Sequence, residues 1–273
     1  MPRLSAIFIY PIKSVTGIQV NAWEVTETGL KYDRQWMLID SQQQFLSQRH
    51  TPKMTLIKTQ IKGQQLIVSA PEQKDLTLSL EPAQNLQTVT ATVWDDQCTA
   101  QLIGSEADQW FSDFLQIPCR LVHQAKTSIR TVNQKYALAN DQTAFSDGFP
   151  FLITSEASLA LLNQQMGLDL SMQRFRPNLV IADCASYAED TWRKISIGTV
   201  NFRLPKPCSR CSVPQIDPET AINNKEPLRT LSRTRKWQSK VYFGQNALHD
   251  QQGQLQINDL VNIIEIGPAQ PPL

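Results

Sequence analysis

This sequence has almost no net charge and no long apolar run. Lysine and arginine number 26 against 25 aspartates and glutamates, so the formal net charge is +1 over 273 residues. Bulk electrostatics therefore gives no reason to expect binding to nucleic acid or to an anionic membrane. No stretch approaches the roughly 20 apolar residues that span a bilayer, and the first apolar run is too short for a signal peptide. We expect neither nucleic acid nor a membrane as a partner.

Cysteine, histidine and glycine are also scarce, which narrows the chemistry. Five cysteines, an odd number, do not form a disulfide framework, so we expect free thiols and a reducing, cytoplasmic location. Three scattered histidines give no basis for a Ser-His-Asp triad. Neither of the glycine-rich phosphate-binding motifs, G-x-x-x-x-G-K or G-x-G-x-x-G, is present.

The composition is that of a globular protein, and its patterns favour β-structure. Short, partly alternating apolar runs recur at regular spacing up to about residue 103, which is typical of a sandwich or barrel. These predicted strands cover residues 4–10, 20–26, 35–40, 45–49, 54–61, 65–69, 76–80, 88–93 and 98–102. The fold class that we predict is mostly β with a few helices (α+β).

The remaining chain alternates helices and strands around one long irregular segment. We predict a helix with Ser105 as its N-cap and a second helix between Ser155 and Gly167. Residues 124–149 have no sustained period and are expected to form a loop, which at that length is usually functional or mobile. Further predicted elements are strands 119–123, 150–154, 179–181, 194–197, 200–204, 241–248 and 260–264, and a short basic helix within 227–237.

The densest chemistry lies in PKPCSRCSVPQIDPET (205–220), where Cys208 and Cys211 form a C-x-x-C pair. A zinc site or an iron–sulfur cluster needs four ligands, and no second close pair is present. A thioredoxin-like dithiol sits at a helix N-terminus after a strand, whereas prolines and a hairpin surround this pair. Two readings stay open: a pair of structural cysteines, or one thiolate favoured by Arg210 that binds a soft metal.

Three cationic residues lie in predicted loops at strand edges: Lys13, Arg34 and Arg176. Any one of them alone is more often a solvated surface charge. If the fold brought them together, they would form a phosphate site. Spacing along the sequence does not decide between these alternatives.

Seven segments, in order along nearly the whole chain, resemble the MOSC family (molybdenum cofactor sulfurase C-terminal domain), with its N-terminal β-barrel partner domain. They are YPIKSVTGI, YDRQWMLID, FSDGFPFLITSEASL, RFRPNLVI, YAEDTW, PCSRCSVPQIDPET and VYFGQNAL. The chain is most similar to the branch that contains the mitochondrial amidoxime-reducing component and bacterial reductases of N-hydroxylated compounds. The resemblance implies an N-terminal MOSC β-barrel domain at 1–115 and a MOSC β-barrel domain with the cysteine loop at 116–273.

The resemblance also implies a bound molybdenum cofactor (molybdopterin) and the residues that hold it. Cys211 would ligate molybdenum and carry catalysis, and Cys208 would be a bystander. The family's cofactor-binding positions correspond to Lys13, Ser14, Arg34, Asp147, Gly148, Phe149, Arg176, Asn178, Ser209, Arg210 and Asn246. Asp217 is either a catalytic, proton-handling group or a turn-former before Pro218.

The activity that the resemblance implies is reduction of N-hydroxylated bases and amidoximes as small-molecule substrates. Some bacterial members carry a C-terminal ferredoxin domain, and this sequence ends at Leu273 without one. We therefore expect a separate electron donor, such as a ferredoxin-type or flavin reductase protein. No pyridoxal-phosphate desulfurase domain is present, so a full cofactor sulfurase is not expected. The alternative is a carrier of the cofactor, or of sulfur as a Cys211 persulfide, in cofactor maturation.

Overall fold

The computed structural model describes residues 1–83 and 85–272, and β-strands dominate this part of the chain. Its nineteen strands are β1 (Arg3–Ile9), β2 (Ile18–Val20), β3 (Ala22–Thr26), β4 (Gly29–Leu30), β5 (Trp36–Ile39), β6 (Lys58–Lys62), β7 (Gln65–Ser69), β8 (Leu76–Ser79), β9 (Thr88–Val93), β10 (Asp96–Leu102), β11 (Arg120–Gln124), β12 (Phe151–Ser155), β13 (Leu179–Ala182), β14 (Trp192–Ile197), β15 (Val200–Ser209), β16 (Lys236–Trp237), β17 (Lys240–His249), β18 (Gly253–Gln256) and β19 (Val261–Ile266). The same residues form three α-helices, α1 (Ser105–Leu115), α2 (Glu156–Met166) and α3 (Leu228–Thr234), and 3-10 turns at Pro52–Leu56, Met172–Phe175, Ala188–Thr191 and Val213–Gln215. The predicted fold class, mostly β with a few helices, is confirmed. None of the helices in the described residues is long and apolar enough to cross a membrane.

The largest sheet has nine strands in the order β19-β14-β15-β17-β12-β13-β1-β2, with β16 paired to β17. Its neighbours are antiparallel except for β12 and β13, which are parallel. Parallel neighbours need a crossover of about a dozen residues or more, and α2 supplies it. The side chain of Ser155 accepts a hydrogen bond from the backbone N–H of Ser158, and Gly167 ends α2 in the left-handed conformation. Both predicted ends of this helix are confirmed.

Three smaller sheets have the strand orders β5-β11-β10-β9, β18-β3-β4 and β6-β7-β8. The first of the two largest hydrophobic clusters in the described residues includes the buried Trp36 of β5 and Phe111 of α1. The second lies on the large sheet and includes Ile7 of β1 and Phe202 of β15. Each fully buried side chain of this kind contributes about 1.5–3 kcal/mol to folding.

Strands from the two predicted domains are interleaved. β1, near the N-terminus, pairs with β13, so the first strand of the predicted N-terminal domain lies within the large sheet. β11, which follows the predicted boundary at 115/116, pairs with β5 and β10. The division into 1–115 and 116–273 stays a prediction, and these pairings tie its two parts together.

Several predicted local elements are wrong. Residues 45–49 form only an isolated bridge at Phe45, followed by a turn. The predicted strand 54–61 begins only at Lys58, because Pro52 has no N–H to donate and starts a 3-10 turn instead. Ser105 is the first residue of α1 rather than its N-cap; that position belongs to Gly104, which makes no side-chain cap.

The predicted loop 124–149 has almost no regular structure beyond the end of β11, and a buried arginine holds it in place. Arg130 donates from Nη1 to the carbonyl oxygens of Ala144 (2.9 Å) and Ser146 (2.5 Å), and from Nε to the Asp96 carboxylate (2.7 Å). A charged donor on backbone carbonyls makes strong hydrogen bonds. The end of the loop is therefore fixed where it leads into β12.

Gly244, in the middle of β17, provides a test of this packing. Its φ of +78° is costly for other residues, and an added Cβ would lie 2.8 Å from the carbonyl oxygen of Ile153 on β12. We expect Gly244→Ala to lower the free energy of unfolding by about 2–4 kcal/mol, from backbone strain together with overpacking. Urea unfolding followed by fluorescence measures the loss.

Gly63→Ala is the matched control, because Gly63 also has positive φ (+58°) but an added Cβ would meet nothing within 4 Å. Strain alone predicts a loss of about 1 kcal/mol there. Equal losses in the two variants would contradict the packing argument.

Candidate functional site

A cleft with an open volume of about 860 Å³ gathers side chains from seven separate stretches of the chain. These stretches follow β1, precede β5, β12 and β13, end β15, lie within β17, or belong to the turn at 45–49. Of the thirteen predicted site residues, twelve line the cleft: Lys13, Ser14, Arg34, Asp147, Gly148, Phe149, Arg176, Asn178, Ser209, Arg210, Cys211 and Asn246. The fold thus supplies the convergence that sequence spacing left open; the roles of these residues stay predictions.

Lys13 is buried at one wall of the cleft and held by two acceptors. Its Nζ donates to the carbonyl oxygen of Phe145 (2.7 Å) and to Oδ1 of Asp147 (2.6 Å). Burial lowers the pKa of Lys13 to about 8, although the Asp147 charge opposes that shift. The Asp147 side chain itself is largely exposed, and the charges of Lys13 and Arg49 outweigh any desolvation and lower its pKa well below its usual range.

Arg34 is fixed by a buried carboxylate and a buried amide. Its Nη1 donates to the Asp33 carboxylate and to Oδ1 of Asn178 (3.0 Å). Asp33 also accepts from the backbone N–H of Tyr10 (2.8 Å), and burial raises the pKa of its carboxyl. Asn178 donates in turn to the carbonyl oxygen of Phe8. The guanidinium is therefore oriented before any ligand arrives.

Arg176 brings a second guanidinium to the same place. Its Nη1 donates to the carbonyl oxygen of Val15 (2.7 Å), and its Cζ lies 4.3 Å from the ring centroid of Tyr10. The Cζ of Arg34 lies 4.2 Å from that same ring. Burial, followed by the charge of Arg34, lowers the pKa of Arg176 to about 10. Two guanidinium groups on one aromatic ring make this wall of the cleft strongly positive.

The cysteine loop forms another wall. The backbone N–H of Arg210 donates to the carbonyl oxygen of Val241 (2.8 Å), which anchors the loop to the start of β17. The guanidinium of Arg210 donates to the sulfur of Cys208 (3.1 Å) and to the carbonyl oxygen of Phe175 (2.7 Å). Cys208 is half-buried, whereas Cys211 is exposed. The predicted electrostatic support from Arg210 is thus directed at Cys208.

Two family models cover most of the chain. The model described as MOSC N-terminal beta barrel domain matches residues 1–118, and the MOSC domain model matches residues 140–262. The chain belongs to the MOSC family. It is 34% identical to mitochondrial amidoxime-reducing component 1 of Mus musculus, over 96% of this chain and 82% of that protein. It is 31% identical to the molybdenum cofactor sulfurase of Oryza sativa subsp. japonica, over 89% of this chain but 32% of that protein.

Among solved structures, this chain is similar to the YUAD protein from Bacillus subtilis. It is 9% identical to this MOSC chain with a TM-score of 0.41, over 96% of this chain and 94% of that one.

Sequence reasoning missed a group of polar residues in the cleft, at the turn that it assigned to a strand. Ser47 and Arg49 line the cleft, and Gln48 donates to the carbonyl oxygen of Ser14 (2.9 Å). The Nη2 atom of Arg49 is 3.6 Å from the Asp147 carboxylate. Its Cζ atom is 4.3 Å from the centroid of the Trp94 ring. The polar run SQRH, which breaks the alternation expected of a half-buried strand, was the available signal.

Three buried polar atoms that belong to cleft residues have no hydrogen-bond partner within residues 1–83 and 85–272: Ser47 Oγ, Arg49 Nε and Arg210 Nε. All three can donate, and unpaired buried donors are costly. Five cationic side chains line this cleft, Lys13, Arg34, Arg49, Arg176 and Arg210, and two carboxylates, Asp33 and Asp147, are paired with them. The cleft of this MOSC chain is suited to an anionic ligand.

Asp217, the thirteenth predicted residue, does not line the cleft. Its carboxylate accepts from the backbone N–H groups of Glu219 (2.9 Å) and Thr220 (3.1 Å) and pairs with Arg174 (2.6 Å). These contacts are those of an Asx-type turn-former. They favour the structural alternative, and the catalytic alternative stays a prediction.

The electrostatic coupling of Lys13 to Asp147 can be tested directly. Asp147→Asn removes the charge that opposes desolvation, so the pKa of Lys13 should fall below about 8. A carbon-13 NMR titration of the lysine Cε signals measures its midpoint. Asp141→Asn is the control, because Asp141 pairs with Arg203 and not with Lys13. A midpoint that stays unchanged in Asp147→Asn would contradict the assignment.

Proposed function

We propose that this protein binds a molybdenum cofactor and reduces N-hydroxylated compounds. The observation that carries the proposal is the convergence of five cationic side chains and an exposed thiol on one cleft. It is supported by 34% identity, over 96% of the chain, to a protein named mitochondrial amidoxime-reducing component 1. Relatives named molybdenum cofactor sulfurase support the cofactor assignment.

The cationic wall suits the phosphate of a pterin cofactor. Lys13, Arg34 and Arg176 would hold it, because guanidinium and ammonium groups in a poorly solvated cleft bind phosphate oxygens through charge-assisted hydrogen bonds. The unpaired donors of Ser47 and Arg49 would donate hydrogen bonds to the same ligand. With a pKa of about 8, Lys13 carries its charge at neutral pH and loses it above that value.

The cysteine loop would supply the metal ligand. Thiolates are preferred ligands of soft transition metals, and Cys211 is the exposed cysteine of the pair. Cys208 is held by the Arg210 guanidinium, so its sulfur is already engaged. Arg210 itself is fixed on both sides by backbone carbonyl oxygens, which keeps the loop in place.

When bound, the cofactor supplies the two-electron chemistry of the reaction, R–NH–OH + 2 e⁻ + 2 H⁺ → R–NH₂ + H₂O. The protein's part is to bind and orient. Backbone groups of Gly148 and the side chains of Asn178 and Asn246 would position the cofactor, and the open mouth of the cleft admits a small substrate. The electrons come from a separate donor, for which we propose a ferredoxin-type or flavin reductase protein. The five free cysteines support the cytoplasm as the compartment.

The division of roles between the two cysteines gives the main test. Cys211→Ser should lose molybdenum and reduce turnover of a benzamidoxime substrate by more than about 100-fold, beyond the usual effect of outer-shell changes. Cys208→Ser should retain metal and most of the activity. Metal analysis of protein made with an intact cofactor pathway, with turnover driven by reduced methyl viologen, measures both. Equal losses in the two variants would contradict the assignment and favour a dithiol.

A carrier role is the second candidate, favoured by the exposure of Cys211 and by the sulfurase relatives. In that case Cys211 would carry a persulfide or the chain would pass its cofactor to another enzyme. Intact-protein mass spectrometry detects the persulfide as one added sulfur that a reductant removes. The carrier role would replace the reductase proposal under two results together. The metal-loaded protein would reduce no N-hydroxylated substrate with any donor, and it would restore the activity of a cofactor-free acceptor enzyme.

A further inference from the structure

The strongest local concentration of charge in the chain is a segment that follows the cysteine loop. Residues 225–240 contain six basic residues and one acidic residue, Glu226, which leaves 20 basic and 24 acidic residues in the rest of the chain. The near-zero net charge therefore conceals a positive patch on a slightly negative protein. Such a distribution steers association with an acidic partner toward the patch.

Most of this charge is free at the surface. Five basic residues of the segment are exposed and form what we call the basic face: Lys225, Arg229, Arg233, Lys236 and Lys240. Within residues 1–83 and 85–272, no side-chain carboxylate lies within 4.0 Å of any of their charged groups. The sixth, Arg235, is buried and pairs with Asp190 instead. The basic face thus has no internal counter-charge.

The basic face adjoins the candidate metal ligand. β17 lies between them: Val241 pairs with Lys236 of β16 and accepts the backbone N–H of Arg210, and Tyr242 pairs with Ser209. Since neighbouring strands are about 4.8 Å apart, β16 lies about 10 Å from the cysteine loop. A protein bound on the basic face would therefore sit beside the loop that carries Cys211.

Exposed apolar side chains accompany the charges. Trp237, in β16, is 36% exposed, and Ile222, in the segment that follows Cys211, is 59% exposed. The backbone ties that segment to the cysteine loop, since Asn224 donates to the carbonyl oxygen of Gln215 (2.9 Å). Aromatic residues and arginine are enriched at protein interfaces, so an exposed Trp237 beside Arg229 and Arg233 fits a docking surface.

We propose that the basic face is the docking surface for a small acidic electron-carrier protein that reduces the site through the adjoining cysteine loop. This inference rests on the proposed function. Each reduction of R–NH–OH to R–NH₂ and H₂O takes two electrons from two reduced one-electron carriers, which leave oxidised, and two protons from water. Redox partners use small interfaces whose association depends on charge steering. A long nucleic acid or a membrane would also meet the negative remainder of the chain, which disfavours both.

The test uses a plant-type [2Fe–2S] ferredoxin, which is small and strongly acidic, with the metal-loaded full chain. Lys236→Glu/Lys240→Glu reverses two charges on the basic face, and Lys62→Glu/Lys74→Glu is the matched control on exposed lysines near the β6-β7-β8 sheet, away from the cleft. The association rate constant at low salt should fall at least about 10-fold in the first variant and less than about two-fold in the control. Added salt should slow the wild type toward the first variant, because screening extends over about 10 Å at 0.1 M.

Turnover with reduced methyl viologen separates this proposal from the proposed function. The basic-face variant should keep its viologen-driven rate while its ferredoxin-driven rate falls. Equal ferredoxin association by both variants, or none by the wild type, would overturn the docking surface. Binding of an RNA duplex or of phosphatidylserine vesicles through Lys236 and Lys240 without ferredoxin association would overturn it too. No turnover with viologen in any variant would reject the reductase, and ferredoxin association would still decide the docking surface.

Discussion

The rest of the site depends on holding like charges together in a poorly solvated cleft. Lys13 and Arg176 are buried enough that the pKa of each falls, to about 8 and about 10, so an empty cleft is electrostatically unfavourable. Two carboxylates and a series of backbone carbonyl oxygens compensate part of that cost. Asp33 holds Arg34, and Asp147 holds Lys13. The unpaired donors that remain indicate that an anion completes the balance.

The backbone of the cleft residues is also strained. Ser14, Arg34 and Arg176 all have positive φ, 64°, 51° and 56°, which is uncommon for residues other than glycine. Each such residue costs of order 1–3 kcal/mol and persists only where the surroundings impose it. Asn178 is one source of that constraint, because its side chain joins Arg34, the Phe8 carbonyl oxygen and the Leu152 N–H. The parallel pair β12 and β13 therefore fixes the conformation of a cationic residue that lies 144 positions away in sequence.

The sequence predicted what is local and what its family resemblance carried. Apolar alternation located most strands, and capping residues gave both ends of α2. It could not show that Lys13 meets Asp147, 134 positions later, because periodicity assigns a residue to a face and not to a partner. Ser47 and Arg49 were missed for a related reason. The pattern of residues 45–49 predicts a strand, and only the tertiary structure shows that this segment forms part of the cleft wall.

Arg210 connects the two cysteines to the surface beyond them. Its guanidinium donates a hydrogen bond to the sulfur of Cys208, whereas Cys211 is exposed. The two cysteines of the C-S-R-C segment therefore differ in hydrogen bonding and in exposure. The same residue donates its backbone N–H to the carbonyl oxygen of Val241 in β17, and β17 pairs on its other side with β16, which carries part of the basic face. A structural change at β16 can therefore affect the cysteine loop through the backbone of β17. Because β17 lies inside the large sheet and pairs with β15 and β16, a single strand links the cysteine loop to the basic face.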